Sequence, residues 1–397
     1  MTNLAVPANI DMYEQAGLSF IEGIARILKF ADLPSSDLWE RAFGGRCKDH
    51  RYYEIIERTL ANEFEHGYLL LEDQSGKART VQPVFFVRQD LLEGVPKMRP
   101  IVDLVRKKFP RFLTMRVLMV GCAAGAGELG ACESEDELWV ARALGKVLPE
   151  YARQNRASLM VFKDFPAKYR STLGALADTG FTRIPSMPMT RLSLAHENFD
   201  AYLQTLGYVT RKSLRRKFRK AQRAPKIDME VVTDISPIVD AIFPLYLAVH
   251  ERSPMKFEHL TKDFFCAIGR EMPDKARFFV WRQSGRVIAF SLCLLCGDTI
   301  YDECLGLDYG VALDLHLYFY TMRDVISWAI AQRLRWYVSG PLNYDPKLHL
   351  RHELAPLDLY VRHTRAWLNP LFRFALKYLE PTRHDPVLRK FPNADEL

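Results

Sequence analysis

The sequence predicts a mixed α/β protein, an α+β mixed sheet in two tandem lobes of like element order, with a helix at its C-terminal end. Three observations predict this. The 397-residue chain is longer than a single hydrophobic core usually serves. Its composition, 48% hydrophobic and 26% charged, is that of a globular chain and excludes wholesale disorder. The order hairpin, strand, helix, strand, extended segment occurs twice.

Residues 1–34 read as a helical extension, because Leu18, Ile21, Ile24, Ala25 and Leu28 fall at helical spacing before Pro34. The first lobe is assigned to 35–205. In it GYLLLEDQSGKARTVQPVFFV predicts a hairpin whose turn uses Gly76. RVLMVG (116–121) predicts a strand running into the small-residue loop CAAGAGELG, and a helix follows over 136–155. A strand over 157–165 and a helix over 166–179 come next, and Gly180 ends that helix. FTRIPSMPMTRLSL returns extended, and its two prolines suit a sheet edge.

A basic linker helix is expected over 206–230 and the second lobe over 231–366. ARFFVWRQSGRVIAFSLCLL predicts its hairpin around Gly285, and TIYDECLGLD (299–308) the next strand. Asp314 opens a helix whose Leu315, Tyr318, Phe319, Met322, Val325, Ile326, Ala329 and Ile330 follow one face. RWYVSG (335–340) and APLDLYVRH are the last strands. The tail, 367–397, begins with a helix expected to pack back through Leu371, Phe372, Ala375, Leu376 and Leu379.

No apolar run nears the 18 residues a membrane span needs; the longest, Val287 to Cys296, suits a buried strand. The N-terminal residues show no signal-peptide pattern, and seven cysteines without framework spacing suggest reduced thiols. A cytoplasmic protein is expected, peripheral to the inner face of the membrane at most. Cys293 and Cys296 form a CxxC inside an apolar run, so buried strand residues are expected there and no metal site. The net charge of +7 is local: nine basic and no acidic residues lie between Arg211 and Lys226, and the remainder of the chain is at −2. Leu214, Phe218 and Ala221 form a narrow apolar stripe on that helix, leaving a broad cationic surface. Donor phosphates, a tRNA or an anionic membrane would each fit it.

Four strings carry a resemblance: RKSLRRKFRKAQR, TIYDECLGLD, LDLHLYFYTMRDVISWAIAQRL and WYVSGPLNYDPKLHLRHELAP. With them the second half resembles the Fem-type and CelD-like branch of the GNAT superfamily, the peptidoglycan biosynthesis or recognition acyltransferase-like proteins. The resemblance covers about residues 35–365. It implies two GNAT-like lobes, the first degenerate, and acyl transfer to an amine in the second. The sequence departs from the pattern in lacking an RxxGxG/A loop before the helix at Asp314 and in reading PLNYDPK after RWYVSG. These departures weaken the case for CoA as donor and leave acyl-carrier-protein and aminoacyl-tRNA donors open.

In such a sheet two parallel strands splay and the thioester arm fills the gap; here these would be TIYDECLGLD and RWYVSG. Leu307, Gly310, Asp314, Ser339 and Gly340 would then contact the donor, with helix N-terminal amides near Gly310–Asp314 receiving its phosphates. Asp314 reads more readily as an N-cap than as a donor contact. Asp302 or Glu303 would be the base that strips the amine, and strand alternation puts them on opposite faces. Each acid would equally well pair with an arginine. His316 is a further candidate for the cleft, and Tyr318 or Tyr344 for protonating the thiolate, against plain packing roles. Lys347, in a loop after a strand, suits a phosphate or carboxylate, as do Arg215, Arg216 and Arg219 on the basic helix.

The function expected is N-acyl transfer from a thioester to an amine on a sugar, lipid or amino acid. The alternatives are Fem-type transfer from aminoacyl-tRNA to a cell-wall precursor, or an inactive scaffold that binds an anionic polymer or membrane.

Overall fold

The computed structural model describes residues 18–33, 36–90, 99–109 and 114–397. In chain order the first half holds β1 (Leu18–Phe20), β2 (Gly23–Leu28), α1 (Ser36–Phe43), α2 (His50–Thr59), β3 (Glu65–Asp73) and β4 (Ala78–Asp90). It continues with α3 (Arg99–Arg106), β5 (Thr114–Val120), α4 (Glu137–Gln154), β6 (Leu159–Pro166), α5 (Arg170–Leu173) and β7 (Thr182–Ser193). Two helices, α6 (Phe199–Thr205) and α7 (Tyr208–Gln222), lead to β8 (Ile227–Val232), α8 (Val239–His250), α9 (Lys262–Glu271), β9 (Ala276–Gln283) and β10 (Arg286–Cys296). The chain then forms β11 (Thr299–Leu307), α10 (Tyr309–Leu315), α11 (Leu317–Ala331), β12 (Trp336–Ser339), α12 (Tyr344–His349), β13 (Glu353–His363) and α13 (Asn369–Leu379).

All these strands join one sheet, in the order β1-β2-β3-β4-β5-β6-β13-β7-β12-β11-β10-β9-β8. The two lobes meet at its centre by exchanging strands. β13, late in the chain, pairs antiparallel with β6 of the first lobe, and β7 pairs antiparallel with β12 of the second. β7 and β13 also pair with each other, from Glu353 opposite Arg191 to Val361 opposite Thr182. Each lobe's sheet is thus completed by a strand from the other half.

One large core on one face of this sheet joins α1 and α2, through Trp39, Phe43 and Tyr53, to Tyr246, Phe264 and Phe290 of the second lobe. On the opposite face α4 packs over the first lobe with Val140, Leu144 and Leu148, and α11 over the second with Met322, Val325 and Ile326. α7 docks as its wheel requires, with Leu214, Phe218 and Ala221 buried.

Several expectations need correction. The helical reading of Leu18–Leu28 fails: β1 and β2 stand there, while the earlier part of the expected extension lies outside the described residues. Six register pairs with β3 outweigh a short apolar periodicity, and Ile21 and Ile24 of that periodicity are exposed. β7 is central, not an edge. Its prolines are tolerated because Pro188 lies at a register break against β13, and Pro185 lies beyond the four residues of β7 that β12 pairs. The helix does not open at Asp314. α10 begins after Asp308, whose side chain caps it, and a left-handed residue, His316 (φ +51°), separates it from α11. On α13 the inward side is narrower than its pattern suggests: Leu376 is buried, and Leu371 faces solvent.

Candidate functional site

β11 pairs parallel with β12 for four positions, from Thr299 opposite Trp336 to Asp302 opposite Ser339. β12 ends there and β11 runs on for five residues with its edge toward β12 unpaired. The divergence has a local cause. On its other side β11 carries an extra residue: Leu292 faces Cys304 while Cys293 faces Asp302, so Glu303 is a bulge. A bulge bends and twists its strand, here at the point where the two ribbons part. It also breaks the alternation read from the sequence. Glu303 stays opposite in facing to Asp302, but Cys304 joins Tyr301 on the face of the large core.

A cavity of about 160 Å³ fills the gap, walled by Ser291, Asp302, Glu303, Tyr318, Tyr337 and Lys347 among others. Asp302 accepts hydrogen bonds from Ser291 Oγ (2.5 Å) and Tyr337 OH (2.6 Å). Burial pushes its carboxyl above the usual carboxylate range, against the opposing pull of those two donors and of Lys347. Lys347, 3% exposed, donates through Nζ to the carbonyls of Gly340 (2.5 Å) and Leu342 (3.0 Å). Burial lowers it to about 8, although the charge of Asp302 resists the shift. Ser339 and Gly340 line the same cavity, and burial raises the Tyr318 phenol. The arrangement offers a carboxyl and an amine that both depart toward neutrality, the balance general acid–base chemistry needs.

Glu303 is held differently. Lys48, in the connection between α1 and α2, reaches it at 3.1 Å across the lobes. Burial alone would lower Lys48; the negative charge of Glu303 overrides it and holds the ammonium well above its ordinary value. The loop CAAGAGELG explains how the lysine fits. Gly125 (φ +122°) leaves its side-chain space to Lys48 Nζ, which a Cβ there would meet at 1.8 Å. Its carbonyl accepts from Lys163 Nζ (3.0 Å) of the same lobe.

The other candidates are not brought to the cavity. His316 sits half-buried beside α7, where burial and the charges of Lys217, Lys220 and Arg216 lower it. The Tyr344 hydroxyl donates to the Pro188 carbonyl (2.8 Å) instead of facing a thiolate. The Gly310 amide is taken by Asp308 Oδ1 (2.8 Å), which closes the helix end expected to receive phosphate. Asp314 is in the last turn of α10 and pairs with Lys220 at 3.3 Å. Leu307 is buried in the core under α11. Arg215 and Arg219, with Arg211, Lys212 and Arg323, wall a separate groove of about 620 Å³ between α6, α7 and α11; Arg216 is exposed outside it. Sequence reasoning missed Ser291, Tyr337 and Lys48. Among the described residues no three His, Cys, Asp or Glu side chains are grouped to hold a metal ion.

Residues 209–347, from the start of α7 to Lys347, match the family model described as an acetyltransferase (GNAT) domain. Two Mycobacterium tuberculosis proteins named "Putative 8-amino-7-oxononanoate synthase 2" are 23% identical over 322 residues, 78% of this chain. The chain spans 41% of the length of these relatives. Among solved structures, FemX aligns with a TM-score of 0.50 and 11% identity, over 84% of this chain and 96% of its own. The L-PGS structure from Bacillus licheniformis aligns at 0.49 and 11%, over 84% and 97%. Residues 209–347 thus match a GNAT acetyltransferase domain, and the chain as a whole shares the fold of FemX.

Proposed function

We propose that this protein is an N-acyltransferase that moves an acyl group from a thioester, acyl-CoA or acyl-carrier protein, to an amine on a sugar, lipid or amino acid. The observation that carries the reading is the pairing of Asp302 and Lys347 in one cavity where β11 and β12 part. The unpaired edge of β11 beyond Asp302 supplies backbone groups to an amide-containing thioester arm. The amine nitrogen attacks the thioester carbonyl, forming the C–N bond and an oxyanion. Asp302, its basicity raised by burial, takes the proton the nitrogen loses. The Lys347 ammonium stabilises the oxyanion. Collapse breaks the C–S bond, and the leaving thiolate takes up the proton held by Asp302, giving an amide and a free thiol and restoring the carboxylate. In this scheme Glu303 is a positioning residue, neutralised by Lys48.

Release of free thiol from acyl-CoA and acyl-carrier protein, measured with a panel of amines, tests the proposal. Amine-dependent release is expected, with Asp302→Asn lowering kcat by about 100-fold or more and Glu303→Gln affecting it less. No release with any thioester, or full activity in Asp302→Asn and Lys347→Ala together, would overturn it.

A second reading is favoured by the cationic groove on α7: transfer from aminoacyl-tRNA. It requires that total tRNA, and no thioester, raises the melting temperature, since a ligand of the folded state stabilises it.

A further inference from the structure

The last helix carries an apolar stripe that no described residue covers. α13 turns Phe372 and Leu376 toward β13 and the large core, with Leu376 5% exposed. Its first turn is fastened by Asn369, which accepts from the His363 amide (3.2 Å) and donates to the Gly180 carbonyl (2.7 Å). Arg373 Nε adds a bond to Thr182 Oγ1 (3.1 Å). The outward side holds Trp367, in the turn before the helix, then Leu371, Phe374 and Tyr378, exposed by 72, 67, 57 and 62%. Steps of four, three and four residues keep them on one side of the helix. Scattered exposed apolar residues are ordinary; four large ones in register on a firmly anchored helix mark an interaction surface.

Charge identifies the partner. Between Val361 and Leu379 the sequence holds Arg362, Arg365, Arg373 and Lys377 and no acidic residue. None of these three arginines forms an ion pair with a described residue, and Arg365 and Arg373 are exposed beside the stripe. A rim of one sign around an apolar strip, with Trp and Tyr at its two ends and Leu and Phe between, is the pattern of a helix lying in a lipid headgroup layer. Eleven residues give a helix about 16 Å long. No helix of the described residues is long and apolar enough to cross a membrane, so this one would lie on the surface.

We propose that α13 seats the protein on an anionic lipid surface, with Trp367, Leu371, Phe374 and Tyr378 entering the boundary between headgroups and acyl chains and Arg365 and Arg373 meeting lipid phosphates. This surface is on the opposite face of the sheet from α7, the element whose charge first suggests a membrane.

Co-sedimentation of the full chain with phosphatidylcholine vesicles, with and without phosphatidylglycerol, tests the proposal. Binding is expected to the anionic vesicles. The Trp367→Ser/Phe374→Ser variant should bind at least about tenfold more weakly. The Arg365→Gln/Arg373→Gln variant should bind several-fold more weakly and lose most of its salt dependence. All four side chains are exposed, so circular dichroism and melting should match the parent chain. The proposal is overturned if the parent chain ignores anionic vesicles or if the folded serine variant binds as well as the parent. It is equally overturned if light scattering shows a dimer that the serine variant dissociates, since a second copy of the chain would then cover the stripe.

Discussion

Lys48 of the first lobe meets Glu303 of the second at 3.1 Å, 255 residues apart in sequence, and Glu303 lines the cavity that holds Asp302. Their side chains are 9% and 17% exposed, so each charge relies on the other. Lys48→Met should cost about 2–4 kcal/mol, because it strands a carboxylate with no cation. Adding Glu303→Gln to that variant should return more than half of the loss, since it removes the stranded charge. Denaturant titrations of the two single variants and the double variant measure this; additive losses would show that the two residues act independently.

Lys347 should trade stability for chemistry. Folding lowers it to about 8, against about 10.4 for an unfolded lysine. Between those values the unfolded chain binds more protons than the folded one, so the stability linked to this group rises with pH across that window. Below it the cost is fully present, on the order of 3 kcal/mol. Lys347→Met removes the cost but leaves the Gly340 and Leu342 carbonyls without their donor. A net gain of about 1–2 kcal/mol is expected at pH 7, turning into a loss above about pH 10. Chemical unfolding at both pH values checks the reversal.

The same two groups predict the pH dependence of turnover. Asp302 must be ionised to act as a base, so its acid limb should lie above the usual carboxylate range. Lys347 must be charged, so activity should fall again near pH 8. Lys347→Arg should slow the reaction yet carry the alkaline limb well beyond that value. A profile whose alkaline limb stays near pH 8 in Lys347→Arg would assign that limb to another group.

Much of the fold is legible from local signals. Alternating apolar residues around Gly76 and Gly285 mark both hairpins, and each glycine has the positive φ its turn needs. TIYDECLGLD and RWYVSG are readable as strands, whereas the gap between them follows only from the family resemblance. The bulge at Glu303 is not, because one added residue leaves no mark on an apolar pattern. The Lys48–Glu303 pair depends on tertiary closure alone, although the run of small residues around Gly125 signals that something approaches closely there. The Asp308–Tyr309–Gly310 string does carry a capping signal, and it places the helix start six residues earlier than the apolar face of α11 suggests. Prolines in a strand point to an edge only if a central strand must be paired on both sides along its whole length, and β7, which β12 pairs at only four residues, shows the exception.

The exchange of β7 and β13 makes a prediction about the halves. Residues 1–205 alone would expose the edge of β6 that β13 normally covers, and residues 206–397 would expose the edge of β12 that β7 covers. Open edges of buried strands pair with other chains, so each half alone should aggregate. Co-expression should restore soluble, cooperatively melting protein. A half that folds alone as a monomer would show that strand exchange is dispensable to the lobes.

The groove on α7 can be read by salt. Arg215 and Arg219 share it with Arg211, Lys212 and Arg323, and Asp200 is the one acid on its wall. If a polynucleotide lies in it, each arginine that neutralises a phosphate releases counterions on binding. Arg215→Gln/Arg219→Gln should then weaken tRNA binding at low salt and flatten the slope of log K against log salt by roughly 1.5. Neither residue touches the cavity at Asp302, so thioester turnover with a small amine should stay within about twofold of the parent chain. An unchanged salt slope would show that the groove makes no phosphate contact. A parallel collapse of thiol release would instead tie α7 to the thioester donor, because the phosphates lost would be the donor's own.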